Sequence, residues 1–192
     1  MDLRYKLKTA PSFSPVSLSQ LKRILRIEHN DQDELLQELI DRAVASSQTA
    51  TGRQYALSTF SLYLDDYPDN DETEIDRGPV GIINSVKYYA QDASVLTTID
   101  PVKYQLDNTE LTSRLRFLTP FVPDTARMNV IEIEFTTGWP DAASVPKDLC
   151  EAIILRASEI YLHPENSDLN FRGSLQVKAA ELKEVNYKIQ RY

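Results

Sequence analysis

Between Val16 and Gly52 the apolar positions recur at helical spacing. Val16-Ser17-Leu18-Ser19-Gln20 places a serine before the run and a glutamine three residues later, the arrangement of a capping box with Ser17 as N-cap. Leu18, Leu21, Ile24 and Leu25 then form one apolar face, which predicts a short helix to about Ile27. Asp31 or Asp33 opens a longer helix whose stripe is Leu35, Leu36, Leu39, Ile40, Ala43 and Val44, and Thr51-Gly52 supplies its stop. Two consecutive amphipathic helices with a short link predict an antiparallel helical hairpin.

From Tyr55 the period changes to two. Phe60, Leu62 and Leu64 alternate with Thr59, Ser61 and Tyr63, as a half-buried strand requires. Further strands are predicted at Ile82 to Ala90, Lys103 to Leu106, Arg114 to Leu118 and Asn129 to Thr136. Turn-forming stretches separate them: Pro68-Asp69-Asn70, Arg77-Gly78-Pro79, Asp107-Asn108 and Pro120 to Asp124. Strands in succession without intervening helices imply antiparallel pairing in a small curled sheet or sandwich.

Helical signals return after Gly138-Trp139-Pro140. Pro146 is expected in a first turn, Asp148 suits the positive end of the dipole, and Leu149, Ala152, Ile153, Leu155, Ala157 and Ile160 follow before Pro164 stops the helix. Arg172 to Tyr192 is charged, with a narrow apolar stripe through Leu175, Ala179, Leu182, Val185 and Ile189 that suggests a helix awaiting a partner. The expected class is α+β, with a helical hairpin and C-terminal helices forming one bundle around an inserted antiparallel β domain. Its expected segments are residues 1–54 (leader and hairpin), 55–140 (β domain), 141–170 (a helix on the hairpin) and 171–192 (a helical or mobile tail).

Charge sharpens this picture. The 192 residues carry a net charge of -8, which disfavours general nucleic-acid binding. Residues 1–27 hold six basic and one acidic side chain, residues 28–76 two basic and thirteen acidic, and residues 172–192 five basic and two acidic. Basic ends flanking an acidic middle suit head-to-tail contacts between copies. The single cysteine, Cys150, excludes an internal disulfide, and with only two histidines it leaves no Cys/His zinc cluster. No apolar run is long enough for a membrane span, and the start lacks the apolar stretch of a signal peptide, so synthesis in the cytoplasm is expected.

No catalytic constellation emerges. Asp65, Asp66, Asp69, Asp71, Glu72, Glu74 and Asp76 crowd together, but without the glycine turn and terminal glutamate of a calcium loop they read as an acidic hairpin in solvent. His29 lies beside a turn, His163 at a helix end, and no G-x-S-x-G elbow is present. Cys150 falls in an apolar helix, where a thiol behaves as a small hydrophobe. Gly78-Pro79-Val80-Gly81 is a turn rather than a phosphate loop. Ten tyrosines, Tyr88, Tyr89 and Tyr104 among them, favour interfaces as well as sheet packing. No enzyme activity, cofactor or metal is expected.

The order of elements and several local strings resemble the head-tail connector, or head-completion adaptor, family of tailed phages, in particular the larger branch of prophages and gene transfer agents. The strings are Leu7-Lys8-Thr9-Ala10-Pro11 with Pro15-Val16-Ser17-Leu18, Leu25-Arg26-Ile27-Glu28-His29, Thr51-Gly52-Arg53, and Phe135-Thr136-Thr137-Gly138-Trp139-Pro140-Asp141 leading into Val145-Pro146-Lys147-Asp148-Leu149. Ile160-Tyr161-Leu162-His163-Pro164 departs from the tryptophan-tyrosine pair more common there. The resemblance implies a structural protein of the virion neck, with copies in a ring, twelvefold to match the portal, extending the DNA channel toward a stopper or tail-completion protein. DNA would only pass through, and no membrane is involved. It also implies a portal-docking tail, here Arg172, Leu175, Lys178, Leu182, Lys183, Val185, Lys188, Ile189 and Tyr192. Because an acidic wall repels a passing phosphate backbone, Asp65, Asp66, Asp69, Asp71, Glu72 and Glu74 suit a surface facing the channel or a neighbouring subunit, and equally one facing solvent. The competing readings are a tail terminator or other virion morphogenesis protein, a protein-binding module unrelated to phage, and a hydrolase with a non-standard site.

Overall fold

The computed structural model describes residues 4–110, 112–164 and 175–188. The chain is α+β and divides into two compact units: Met1–Ser12 with Leu57–Gly138, and Phe13–Ala56 with Trp139–Tyr192.

The first unit holds two antiparallel sheets. One has the order β1 (Arg4–Thr9), β2 (Ser58–Leu64), β8 (Ile131–Thr137), β4 (Val80–Tyr89), β5 (Leu96–Ile99). The other has β3 (Glu72–Ile75), β7 (Ser113–Phe117) and β6 (Tyr104–Asp107). The alternation in β2 sends Phe60, Leu62 and Leu64 into a core shared by both sheets, where they meet Ile75, Leu115, Phe117, Ile131, Ile133 and Phe135. β8 is last in sequence yet lies between β2 and β4, pairing Leu62 with Ile133 and Val86 with Ile133. Ile131, Ile133 and Phe135 are completely buried there, each worth roughly 1.5–3 kcal/mol of burial. On the opposite face Glu132 accepts hydrogen bonds from Ser61 Oγ (2.8 Å) and Tyr63 Oη (3.0 Å) and an ion pair from Lys8 Nζ (3.0 Å).

Three strands differ from expectation. Residues 4–9, expected to lead into the helices, form edge strand β1 against β2, with Tyr5 opposite Leu62. Their basic side chains Arg4, Lys6 and Lys8 alternate with Tyr5 and Leu7, a pattern that discourages further strand addition at an exposed edge. β3 occupies part of the stretch expected to be an acidic hairpin. Thr73 and Ile75 turn inward while Glu72 and Glu74 point out, so the segment is a strand of the smaller sheet and the chain crosses to it from β2. β5 was hidden by its polar Thr97 and Thr98; only Ile99 is buried.

The second unit holds α1 (Leu18–Leu25), α2 (Asp33–Thr51), α3 (Lys147–Leu162) and α4 (Leu175–Glu184), the last continued by a 3-10 turn at Val185–Tyr187. The capping box forms: Gln20 N donates to Ser17 Oγ at 3.3 Å and Ser17 N to Gln20 Oε1 at 2.7 Å. α1 stops slightly early, at Arg26, whose φ of 59° leaves the helix. Gly52 caps α2 at φ 73°, a conformation glycine adopts without strain. Pro146 stands just before α3 as its N-cap rather than inside the first turn. Leu21, Leu36, Ile40, Tyr55, Leu149 and Ile153 form the core. Tyr55 anchors it by donating from Oη to Ser47 O at 3.1 Å, while Trp139 N donates to Tyr55 O at 3.1 Å.

Candidate functional site

The acidic residues of the first unit are not a bare carboxylate cluster. Asp65 follows β2, where Arg4 Nη2 reaches its Oδ2 at 3.1 Å and Asn129 N donates to its Oδ1 at 2.6 Å. Asp66 accepts from Tyr67 N at 2.6 Å, and Asp71 accepts from Tyr67 Oη at 2.9 Å. Burial in a ring cluster with Phe117 and Phe121, together with the Asp71 carboxylate, pushes the Tyr67 phenol up to about 12. Asp69–Asp71 is a 3-10 turn in which Asn70 and Asp71 take positive φ. Glu72 sits opposite Arg116 in the β3–β7 register and pairs with Arg116 Nη2 at 2.8 Å and Arg114 Nη1 at 3.2 Å, while Glu74 is opposite Arg114. Oppositely charged cross-strand partners of this kind favour one register. Among the described residues no three His, Cys, Asp or Glu side chains converge as metal ligands.

The C-terminal residues also rearrange the expected picture. α4 is not without a partner: it lies on α3, burying Val177, Ala180 and Glu184. Glu184, with 0% side-chain exposure, receives Arg156 Nη2 at 2.8 Å and Nε at 3.2 Å, and Arg156 is itself only 3% exposed. Arg53 Nε donates to Tyr187 O at 2.8 Å, tying the following turn to the end of α2. Lys183 pairs with Glu151. The buried face therefore differs from the expected stripe, because Leu182 and Val185 are exposed, with Lys178 one turn before them and Lys188 beyond. Arg172, Ile189 and Tyr192 lie outside the described residues, as does the side chain of Leu175.

Two apolar surfaces went unnoticed in the sequence. α1, α3 and α4 enclose a groove of about 410 Å³ lined chiefly by Ile24, Leu25, Ile154, Leu155 and Leu162. At one end of the five-stranded sheet Val95, Val122 and Met128 are 73–75% exposed. Cys150 is half-buried, its thiol donating to Pro15 O at 3.6 Å, and burial pushes its pKa up.

The sequence profile of the phage gp6-like head-tail connector protein family matches residues 15–108, from the start of α1 through β6. Just under half of the chain is thus similar to the phage head-tail connector family. No curated protein matches the chain in sequence. Solved structures share its fold over nearly the whole length. A chain from the neck of an empty GTA particle, computed with C6 symmetry, is 19% identical with a TM-score of 0.79, covering 98% of this chain and 97% of that one. A chain from the virion of a native gene transfer agent (GTA) particle is 19% identical with a TM-score of 0.77, covering 98% and 96%. A chain from the neck of a native GTA particle, computed with C12 symmetry, is 20% identical with a TM-score of 0.72, covering 98% and 97%. At these identities the likeness is one of fold.

The groove and the exposed sheet end carried no readable signal, because each is assembled from residues distant in sequence. Ile24 and Leu162 look like ordinary members of a helical stripe and a helix end, and only the packing leaves both 52% exposed. The buried Arg156–Glu184 pair is similarly invisible, since its members are 28 residues apart.

Proposed function

We propose that this protein is a head-tail connector, a non-enzymatic structural adaptor of the virion neck, its copies forming a ring between the portal and a stopper or tail-completion protein, with DNA passing through the channel. The observation that carries the reading is the combination of the connector-family match at residues 15–108 with a fold shared over 98% of the chain with neck chains of symmetric particles. Cyclic symmetry of that kind requires a heterologous contact that closes on itself, hence two different complementary faces on each subunit.

The details follow the same reading. The helical elements act as one bundle carrying the β unit as an insertion. The exposed Asp66, Asp69, Asp71 and Glu74 give their surface an excess of negative charge that repels a passing phosphate backbone. Lys178, Leu182 and Val185, spaced four and three residues apart on one exposed face of the C-terminal segment, suit docking on the portal, with Lys188 and the terminal residues extending that contact. Among the described residues no helix is long and apolar enough to cross a membrane.

The test is to incubate the protein with its cognate portal ring and examine the product by negative-stain electron microscopy, then to repeat with residues 172–192 removed. A collar under the portal that depends on the tail is expected. Binding to a tail tube in place of the portal would move the protein to tail termination; a partner engaged only as a single domain, without rings, would make it an unrelated binding module.

A further inference from the structure

The groove on the helical unit and the exposed end of the β unit match in chemistry. The groove has apolar walls, Ile154 and Leu155 from α3 and Leu162 at its end, and it is open enough to leave Ile24 half-exposed. Ile24 is bracketed on α1 by the exposed Arg23 and Arg26. The end of the β unit is the converse. Ala90 extends β4 to bridge Pro123, and Tyr89 pairs with Leu96, which brings Val95 and Val122 to the same end of the sheet. Asp124 N donates to Tyr89 O and Tyr89 N to Val130 O, so the loop carrying Met128 closes over that end too. Exposed Asp66 and Asp92 flank this apolar tip, and no ion pair engages either among the described residues.

An isolated surface valine means nothing, but three large apolar side chains at about three-quarters exposure on one end of a unit mark a contact site. Groove against groove leaves both cavities unfilled and tip against tip sets acid against acid, whereas a reciprocal tip-and-groove pair would close as a dimer and give no ladder beyond it. Tip into groove fills the cavity and sets Asp66 and Asp92 near Arg23 and Arg26. We infer that the occupant of the α1–α3–α4 groove is the Val95/Val122/Met128 tip of a second copy of this chain, the contact being the repeating heterologous interface of the assembly. This rests on the ring reading above and adds the surfaces through which the ring is built.

The experiment uses the full chain in a Cys150→Ala background. One variant carries Val122→Cys or Met128→Cys, a second carries Ile24→Cys or Leu162→Cys, and a third carries one of each. After concentration and mild oxidation, a tip variant mixed with a groove variant gives dimers, the third variant gives a ladder of dimers, trimers and higher species, and each single variant alone stays monomeric. In parallel, Arg23→Glu with Arg26→Glu, or Asp66→Lys with Asp92→Lys, lowers the yield about tenfold or more, and combining all four substitutions in one chain restores it. Lysine-reactive cross-linking and electron microscopy of the parent protein, free and on the portal, report ring formation independently of these surfaces. Rings without the tip-to-groove ladder would overturn this inference and leave the ring reading intact, as would dimers from a single-cysteine variant. Absence of any ring, on the portal or off it, would overturn both.

Discussion

Replacing Glu184 with alanine should release α4 from α3. In the intact protein Arg156 is 3% exposed and its guanidinium meets Glu184 through two nitrogens, at 2.8 and 3.2 Å; among the described residues its Nη1 otherwise reaches only Ser46 Oγ at 3.5 Å. Deleting the carboxylate leaves a buried guanidinium without an anion, which costs about 3–5 kcal/mol when the structure cannot relax. The structure can relax, because the apolar side chains that α4 buries are Val177 and Ala180, together worth roughly 2–4 kcal/mol. The middle of the penalty range, about 4 kcal/mol, exceeds the middle of the gain, about 3 kcal/mol, so the cheaper response is for α4 to detach and let water reach Arg156. Hydrogen exchange followed by mass spectrometry should then show amides of Leu175–Glu184 exchanging about a hundredfold faster, the equivalent of about 3 kcal/mol. Amides of α2 and β8 should keep their protection, and the global denaturation midpoint should fall by less than the α4 effect. The paired replacement Arg156→Met/Glu184→Leu should restore α4 protection, since an apolar pair of similar volume avoids the desolvation cost altogether. If α4 in Glu184→Ala stays within tenfold of the parent, the buried pair is not what holds it and the reasoning fails.

Ser17→Ala removes one half of the capping box and should cost about 1 kcal/mol in urea denaturation, with Ser17→Asp largely retaining stability. Phe135→Ala empties a completely buried site between Tyr5 and Phe60 and should cost about 3–5 kcal/mol by the same assay; a loss below 1 kcal/mol would contradict the packing. Glu72→Ala, by contrast, breaks pairs to two exposed guanidiniums and should change stability by less than about 1 kcal/mol, less still in high salt. Stability should also decline in alkali. Burial, reinforced by the Asp76 hydrogen bond, raises the Tyr5 phenol, burial raises Tyr55, and burial with the Asp71 hydrogen bond takes Tyr67 from 10.0 to about 12. Because the unfolded chain ionises first, the stabilisation is complete below pH 10 and is lost as pH rises toward 12, and Tyr67→Phe should soften that decline in a pH series of denaturation curves.

Local signals in this sequence are strong where one element meets one kind of environment. Ser17 with Gln20, Gly52 at the end of α2 and the Phe60-Leu62-Leu64 alternation each act over a few residues, so the α+β class, the helix limits and most strands could be read directly. The family resemblance was equally legible, because it rests on short strings in a definite order. Pairing was not. That β8 inserts between β2 and β4, or that Arg4–Thr9 crosses the chain to become an edge strand, depends on contacts over 43 or more residues that no local pattern encodes. Charge deceived for the same reason: the crowded carboxylates after Leu64 looked like one solvated hairpin, whereas Glu72 is matched by Arg114 and Arg116 from a strand some forty residues later. In the tail the stripe of Leu182 and Val185 stays exposed, while a second face with Val177, Ala180 and Glu184, which the apolar pattern did not mark, packs on α3 and meets the buried Arg156. The amino-acid sequence by itself determined which segments are helix and strand, since backbone preference and amphipathic period are local quantities. Tertiary structure alone decided which charges are neutralised, which face of α4 is hidden and where groove and tip arise, because each is set by the partner that distant chain brings alongside.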